Sequence, residues 1–68
     1  MHLFCEAKGN PKPLVIWMKS GRVLQSSISK TELIIQDASE NNAGIYECEV
    51  SNSLGTLTYT VEVIIQLK

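Results

Sequence analysis

The sequence predicts an all-β fold, two packed layers of antiparallel strands. Three observations carry that reading. Apolar and polar residues alternate with a period of two, as in Leu3, Cys5 and Ala7 against His2, Glu6 and Lys8. Short strand-like runs are separated by clusters of Gly, Asn, Pro and Ser. The stretch 44–48 opens a strand whose Tyr46 and Cys48 lie two positions apart and so share one face.

The elements follow in order. Residues 2–8 form a half-buried strand with Leu3, Cys5 and Ala7 inward; Phe4 interrupts the polar side as a singly exposed apolar residue. Residues 9–13 form a loop, because Gly and Asn tolerate positive φ and neither proline can donate to a ladder. Residues 14–19 form the next strand, Val15 and Trp17 inward, Leu14, Ile16 and Met18 outward. Ser20 and Gly21 make a turn. Residues 22–25 are a short strand with Leu24 inward, and residues 26–30 hold a brief edge strand around Ile28. Residues 31–36 place Leu33 and Ile35 inward. A helical turn follows over 37–43, with Ala38 under the core. Residues 44–51 send Tyr46, Cys48 and Val50 inward. Residues 52–55 are a tight hairpin with Gly55 in a left-handed conformation. Residues 56–67 form the last strand, with Leu57, Tyr59, Val61, Val63 and Ile65 inward and Thr58, Thr60 and Glu62 in water.

Size and charge bound the function. Sixty-eight residues make one domain, taken as residues 1–68. A chain so short buries only about 60% of the surface its unfolded form exposes, so its core needs reinforcement. The two cysteines allow one bridge, Cys5 to Cys48. It would close a long loop, contribute about 4 kcal/mol and imply an oxidising compartment. The alternative is two buried thiols acting as small apolar residues in a cytosolic protein. The net charge is −1, and the Lys and Arg residues stand singly, which argues against a nucleic-acid partner. The longest apolar run, residues 14–18, is a strand length and far from the roughly 20 residues that span a bilayer. Residues 1–5 have no charged start or cleavage site of a secretory leader.

Cys5, Trp17 and Cys48 occur in that order, with Tyr46 two residues before the second cysteine. Around them stand Leu3-x-Cys5-x-Ala7, a Gly-x-Pro-x-Pro loop, Trp17-x-Lys19, Gly21, Leu33-x-Ile35-x-x-Ala38, Gly44-x-Tyr46-x-Cys48 and Asn52-x-x-Gly55. In this order the motifs resemble the immunoglobulin sandwich, in particular its I-set branch, over nearly the whole chain. The resemblance implies Greek-key connections and a Cys5–Cys48 disulfide packed against Trp17. It also implies a Tyr46 hydroxyl that reaches back to the preceding corner. Two departures stand out. Asn42 occupies a position where the family usually has an Asp paired with a basic residue, so an ion pair is lost. The chain also starts at the position of strand B, so it reads as a truncated module. Its first strand is absent, and the edges that strand would cover are open to pairing with another chain.

Catalysis lacks its parts. Glu47 and Glu49 share a strand face with Glu62 beside them, but a flat sheet offers no concave site, so they form a solvated acidic stripe. His2 is the only histidine, with no spaced ligand near it, and Asn41-Asn42 is too poor in oxygens for calcium. No metal, cofactor or N-glycan is expected. The expected function is protein binding, homophilic or heterophilic. Ile16, Met18 and Ile45 serve as apolar contacts and Glu47, Glu49 and Glu62 as a charged rim, or an open edge strand pairs instead. The resemblance implies an extracellular or cell-surface setting in a multidomain adhesion or matrix protein. The rival readings are a spacer repeat in a cytoskeletal filament and an engineered fragment.

Overall fold

The computed structural model describes residues 1–35 and 40–65, the side chain of Glu40 excepted. Six strands and one 3-10 turn appear among them: β1 (His2–Glu6), β2 (Leu14–Lys19), β3 (Arg22–Ile28), β4 (Lys30–Ile34), the turn Glu40–Asn42, β5 (Gly44–Asn52) and β6 (Gly55–Val63). They form two antiparallel sheets, β1-β4 and β3-β2-β5-β6. Because β1 and β4 pair while β2, β3 and β5 lie in the other layer, the chain crosses between layers repeatedly, as a Greek-key sandwich requires. The expected positions of Ala38, Gln36 and Leu67 fall outside the described residues.

The core follows the alternation on the central strands. Val15 and Trp17 of β2 and Tyr46, Cys48 and Val50 of β5 are all buried, and Ile35 and Val63 complete the cluster. Leu3, Cys5, Ala7 and Leu33 pack on it from the other sheet, half-buried. Thr31 is buried as well, opposite Cys5 in the β1–β4 register, which the polar pattern of its neighbourhood conceals. The disulfide Cys5–Cys48 joins β1 to β5 and so ties the two layers together. Trp17 stands opposite Cys48 in the β2–β5 register, which sets the indole beside the bridge.

Four expectations change. First, residues 22–28 are one strand, not a short strand followed by a separate edge piece. Between Trp17↔Gln25 and Met18↔Val23 the register slips, and Leu24 is the extra residue. Such a bulge breaks the period of two, so Leu24 is exposed and Gln25 takes the inward position. The Gln25 amide donates to Thr31 Oγ1 and to the carbonyl of Glu32 on β4, a polar bridge between sheets. Second, only Ser29, at φ 70°, separates β3 from β4, and it turns the chain from one sheet into the other. Its amide donates to the Pro13 carbonyl and its carbonyl accepts from the Ala7 amide. Third, Gly55 has φ 158°, close to extended backbone rather than left-handed. The hairpin is shaped by Asn52, whose Oδ1 accepts from the Leu54 amide. Fourth, Leu57, Tyr59 and Val61 are not buried: they are 60%, 56% and 39% exposed. Their alternation is regular, but β6 is an edge strand and the two-stranded layer does not reach over it. Only Val63 on that face enters the core, with Ile65 half-buried beyond it.

The corner before β5 is closed by two side chains. Tyr46 Oη donates to the Asn42 carbonyl at 2.7 Å, as the resemblance implied. Lys19 Nζ donates to the Asn41 carbonyl at 2.7 Å and lies 5.2 Å from the centre of the Tyr46 ring. A basic residue from the end of β2 thus serves the corner where the family uses an Asp ion pair.

Candidate functional site

The outer face of the four-stranded sheet is built by register. Val15 and Trp17 point inward, so Leu14, Ile16 and Met18 point to the other side. Ile16 stands opposite Glu49, and Met18 opposite Glu47, across β2 and β5. On the next strand Glu49 stands opposite Thr58, Glu47 opposite Thr60, and Ile45 opposite Glu62. On the other flank Leu14 pairs with Ile28, Ile16 with Ser26 and Met18 with Val23. The structure therefore brings Ile16, Met18, Glu47 and Glu49 together. Ile45 and Glu62 form a separate pair at the end of the face where β2 has already stopped.

The arrangement is striped rather than concentric. An apolar band runs along β2 and β3 through Leu14, Ile16, Met18, Val23 and Ile28, and the carboxylates of Glu47 and Glu49 line its β5 side. Leu14, Val23 and Ile28 are 39%, 56% and 57% exposed. Ile16, Met18, Glu47 and Glu49 are half-buried by their neighbours, while Ile45 and Glu62 are exposed. Sequence reasoning missed Ile28 because the bulge at Leu24 shifts the alternation of the residues after it; Val23, which alternation beside an inward Leu24 already turns outward, was not counted in the site. It placed Leu14 on the outer face but did not count it in the site. No salt bridge reaches Glu47, Glu49 or Glu62 among the described residues; the close imidazole–carboxylate contact there, His2 Nδ1 to Glu32 at 3.0 Å, lies on the other sheet.

A second feature lies on the inner side. A cleft of about 440 Å³ opens between β1 and β6, lined by Phe4, Ala7, Trp17, Leu57, Tyr59 and Val61, with the disulfide at its base. Its walls are mostly apolar. No group of three or more His, Cys, Asp or Glu side chains that could hold a metal occurs among the described residues. No described helix is long and apolar enough to cross a membrane.

The comparison with family models decides the lineage: the immunoglobulin I-set domain model matches residues 1–65. The chain belongs to the immunoglobulin I-set family. Among curated proteins, this I-set chain is similar to hemicentin-2 of Mus musculus, 35% identical over 65 residues, which is 96% of the chain and 1% of that protein. It is similar to fibroblast growth factor receptor-like 1 of Mus musculus, 30% identical over 70 residues, 96% of the chain and 13% of the relative. It is also similar to the probable oxidoreductase PXDNL of Homo sapiens, 35% identical over 69 residues, 94% of the chain and 5% of the relative. The I-set chain thus spans a small part of the length of each of these relatives.

Proposed function

We propose that this I-set domain is a non-catalytic protein-binding module of a cell-surface or extracellular-matrix protein. In this reading it engages its partner through the outer face of β2, β3 and β5. The observation that carries the reading is the pairing, in one register, of an exposed apolar band with an unneutralised acidic stripe. Apolar contact supplies affinity, and the carboxylates of Glu47 and Glu49 select a partner that brings Lys or Arg beside its own apolar patch. Ile45 and Glu62 extend the contact at one end. The resemblance to a receptor-like relative and the Cys5–Cys48 bridge support an extracellular setting. The oxidoreductase name belongs to a protein of which the matched stretch is 5%.

The test is a binding screen of the folded chain against an array of cell-surface and matrix ectodomains, this chain included. Wild type is expected to bind at least one ectodomain, with affinity that falls as salt rises. Ile16→Ser with Met18→Ser is expected to abolish that binding and leave the circular dichroism spectrum unchanged. Retained affinity in the double variant would refute the surface.

A further inference from the structure

The free edge of β3 carries a second contact, which goes beyond the sheet-face reading above. β3 ends the sheet order β3-β2-β5-β6, and every residue of it is exposed. The strands before and after it, β2 and β4, are both placed, and Ser29 at φ 70° carries the chain from β3 straight into the other layer. No described strand therefore covers this edge. Residues 23–29 hold no charge, no proline and no glycine. Natural sheets usually guard such an edge with a proline, a lysine or a bulge. The bulge at Leu24 is the one guard in that run, and it lies ahead of four regular pairs, from Trp17↔Gln25 to Leu14↔Ile28.

The free backbone groups of β3 can be assigned. Ser20 and Gly21, both at positive φ, form a two-residue hairpin loop closed by the pair Lys19↔Arg22. The closing pair of such a loop exchanges backbone bonds, and bonding then alternates along the ladder. Lys19, Trp17 and Val15 therefore bond to β3, so Gln25 and Ser27 aim their N–H and C=O groups at β2. The Ser29 amide, which donates to the Pro13 carbonyl at 2.9 Å, keeps the same phase. Ser26 and Ile28 aim theirs outward.

We propose that β3 pairs with β3 of a second copy, antiparallel, about a two-fold axis through Ser27. In that register Ser26 meets Ile28 on each side of the axis, and their outward groups bond to one another across it. Ser27 and its copy form a non-bonded pair, and no charge lies in the ladder. The two Ile28 side chains are diagonal neighbours on the outer face, within reach of each other, and Leu14 stands beside each. Ile28 is 57% exposed and Leu14 39%, so the contact covers apolar surface. The outer face argues for a second copy as the occupant. In one copy the apolar band has carboxylates along its β5 side and an open edge on its β3 side. Joining two β3 edges brings the open sides together. The two bands become one apolar centre, with Glu47 and Glu49 of each copy on its outer borders, the core-and-rim anatomy of a binding surface. Contact of one patch with itself about a two-fold axis closes the assembly at a dimer.

The experiment uses the intact chain with its native disulfide. Sedimentation over rising concentration is expected to show a monomer–dimer equilibrium. Ser27→Cys under mild oxidation is expected to form a covalent dimer, because a non-bonded pair separates its Cα atoms by about 4.5 Å, within disulfide reach. Val23→Cys is the control. It and its copy would lie about eight residues apart along the strands, over about 20 Å, and should not cross-link. Ser26→Pro removes an outward N–H that the ladder to β2 does not use, so it is expected to keep the fold and weaken the dimer about tenfold or more. All three positions are exposed, and the circular dichroism spectrum checks that the variants fold. Ile16→Ser with Met18→Ser leaves the dimer unchanged, so a failure of the sheet-face reading and a failure of this one are told apart. A monomer at the highest concentration, Val23→Cys cross-linking in place of Ser27→Cys, a folded Ser26→Pro chain that dimerises as wild type does, or a chain that stays monomeric and captures an extended peptide at this edge would each overturn the proposal.

Discussion

At the scale of single residues, the corner before β5 shows how a few contacts fix a crossover. Tyr46 is buried by its ring and bonded by its hydroxyl to the Asn42 carbonyl. Tyr46→Phe keeps the packing and removes this one hydrogen bond, so it should cost about 0.5–1.5 kcal/mol in urea unfolding. Gly44 stands at φ 133°, which L side chains rarely adopt, and a Cβ there would lie 3.2 Å from Lys19 Cε. Gly44→Ala should therefore cost about 1–3 kcal/mol, chiefly from backbone strain, since the lysine stem can swing aside. Its unfolding midpoint, compared with that of Tyr46→Phe, measures the share held by conformation rather than by the hydroxyl. Lys19 was partly legible from sequence. It follows Trp17 by two positions and so belongs to the inward face, where a lysine at a strand end needs something for its head to bond. That something, the Asn41 carbonyl, comes from a distant segment, and no local pattern names it.

At the scale of elements, alternation alone says which residues share a face and not whether anything covers that face. β2 and β5 are central strands, so Val15, Trp17, Tyr46, Cys48 and Val50 are buried as their pattern predicts. β6 has an equally regular pattern, yet it lies at the edge and Leu57, Tyr59 and Val61 remain exposed. The two cases make a matched prediction. Leu57→Thr should change stability by less than about 0.5 kcal/mol, whereas Val15→Ala should cost about 2–3 kcal/mol through lost burial and a cavity. Urea denaturation of both variants checks it. β3 shows the other limit. One extra residue at Leu24 reverses the faces of everything after it, and nothing in the local sequence marks a bulge there. That single slip is why the sequence showed the Ile16, Met18, Glu47 and Glu49 quartet but hid Ile28 beside it.

At the scale of the whole molecule, the layers are unequal. The described core of Val15, Trp17, Ile35, Tyr46, Cys48, Val50 and Val63 comes mostly from the four-stranded sheet, and the molecule measures 46 × 17 × 15 Å. The β1–β4 layer adds buried Thr31 and half-buried Leu3, Cys5 and Leu33. Its firmest link to the rest is the Cys5–Cys48 bridge, whose cysteines are 43 positions apart. Closing a loop of that length removes unfolded-chain entropy worth about 4 kcal/mol, against total stabilities of about 5–15 kcal/mol for ordinary domains. With so thin a second layer this chain belongs near the lower end of that range, so loss of the bridge should remove most of its stability. Urea unfolding with and without dithiothreitol measures this, with Cys5→Ala/Cys48→Ala as the covalent control. At a slope of about 1 kcal/mol per molar urea, a loss of about 4 kcal/mol moves the midpoint by several molar, enough to leave the reduced chain largely unfolded without denaturant. A reduced chain that kept its midpoint would mean that packing around Trp17 holds the layers together unaided. The extracellular assignment would then lose its physical motive, because a domain indifferent to its disulfide is equally at home in a reducing compartment.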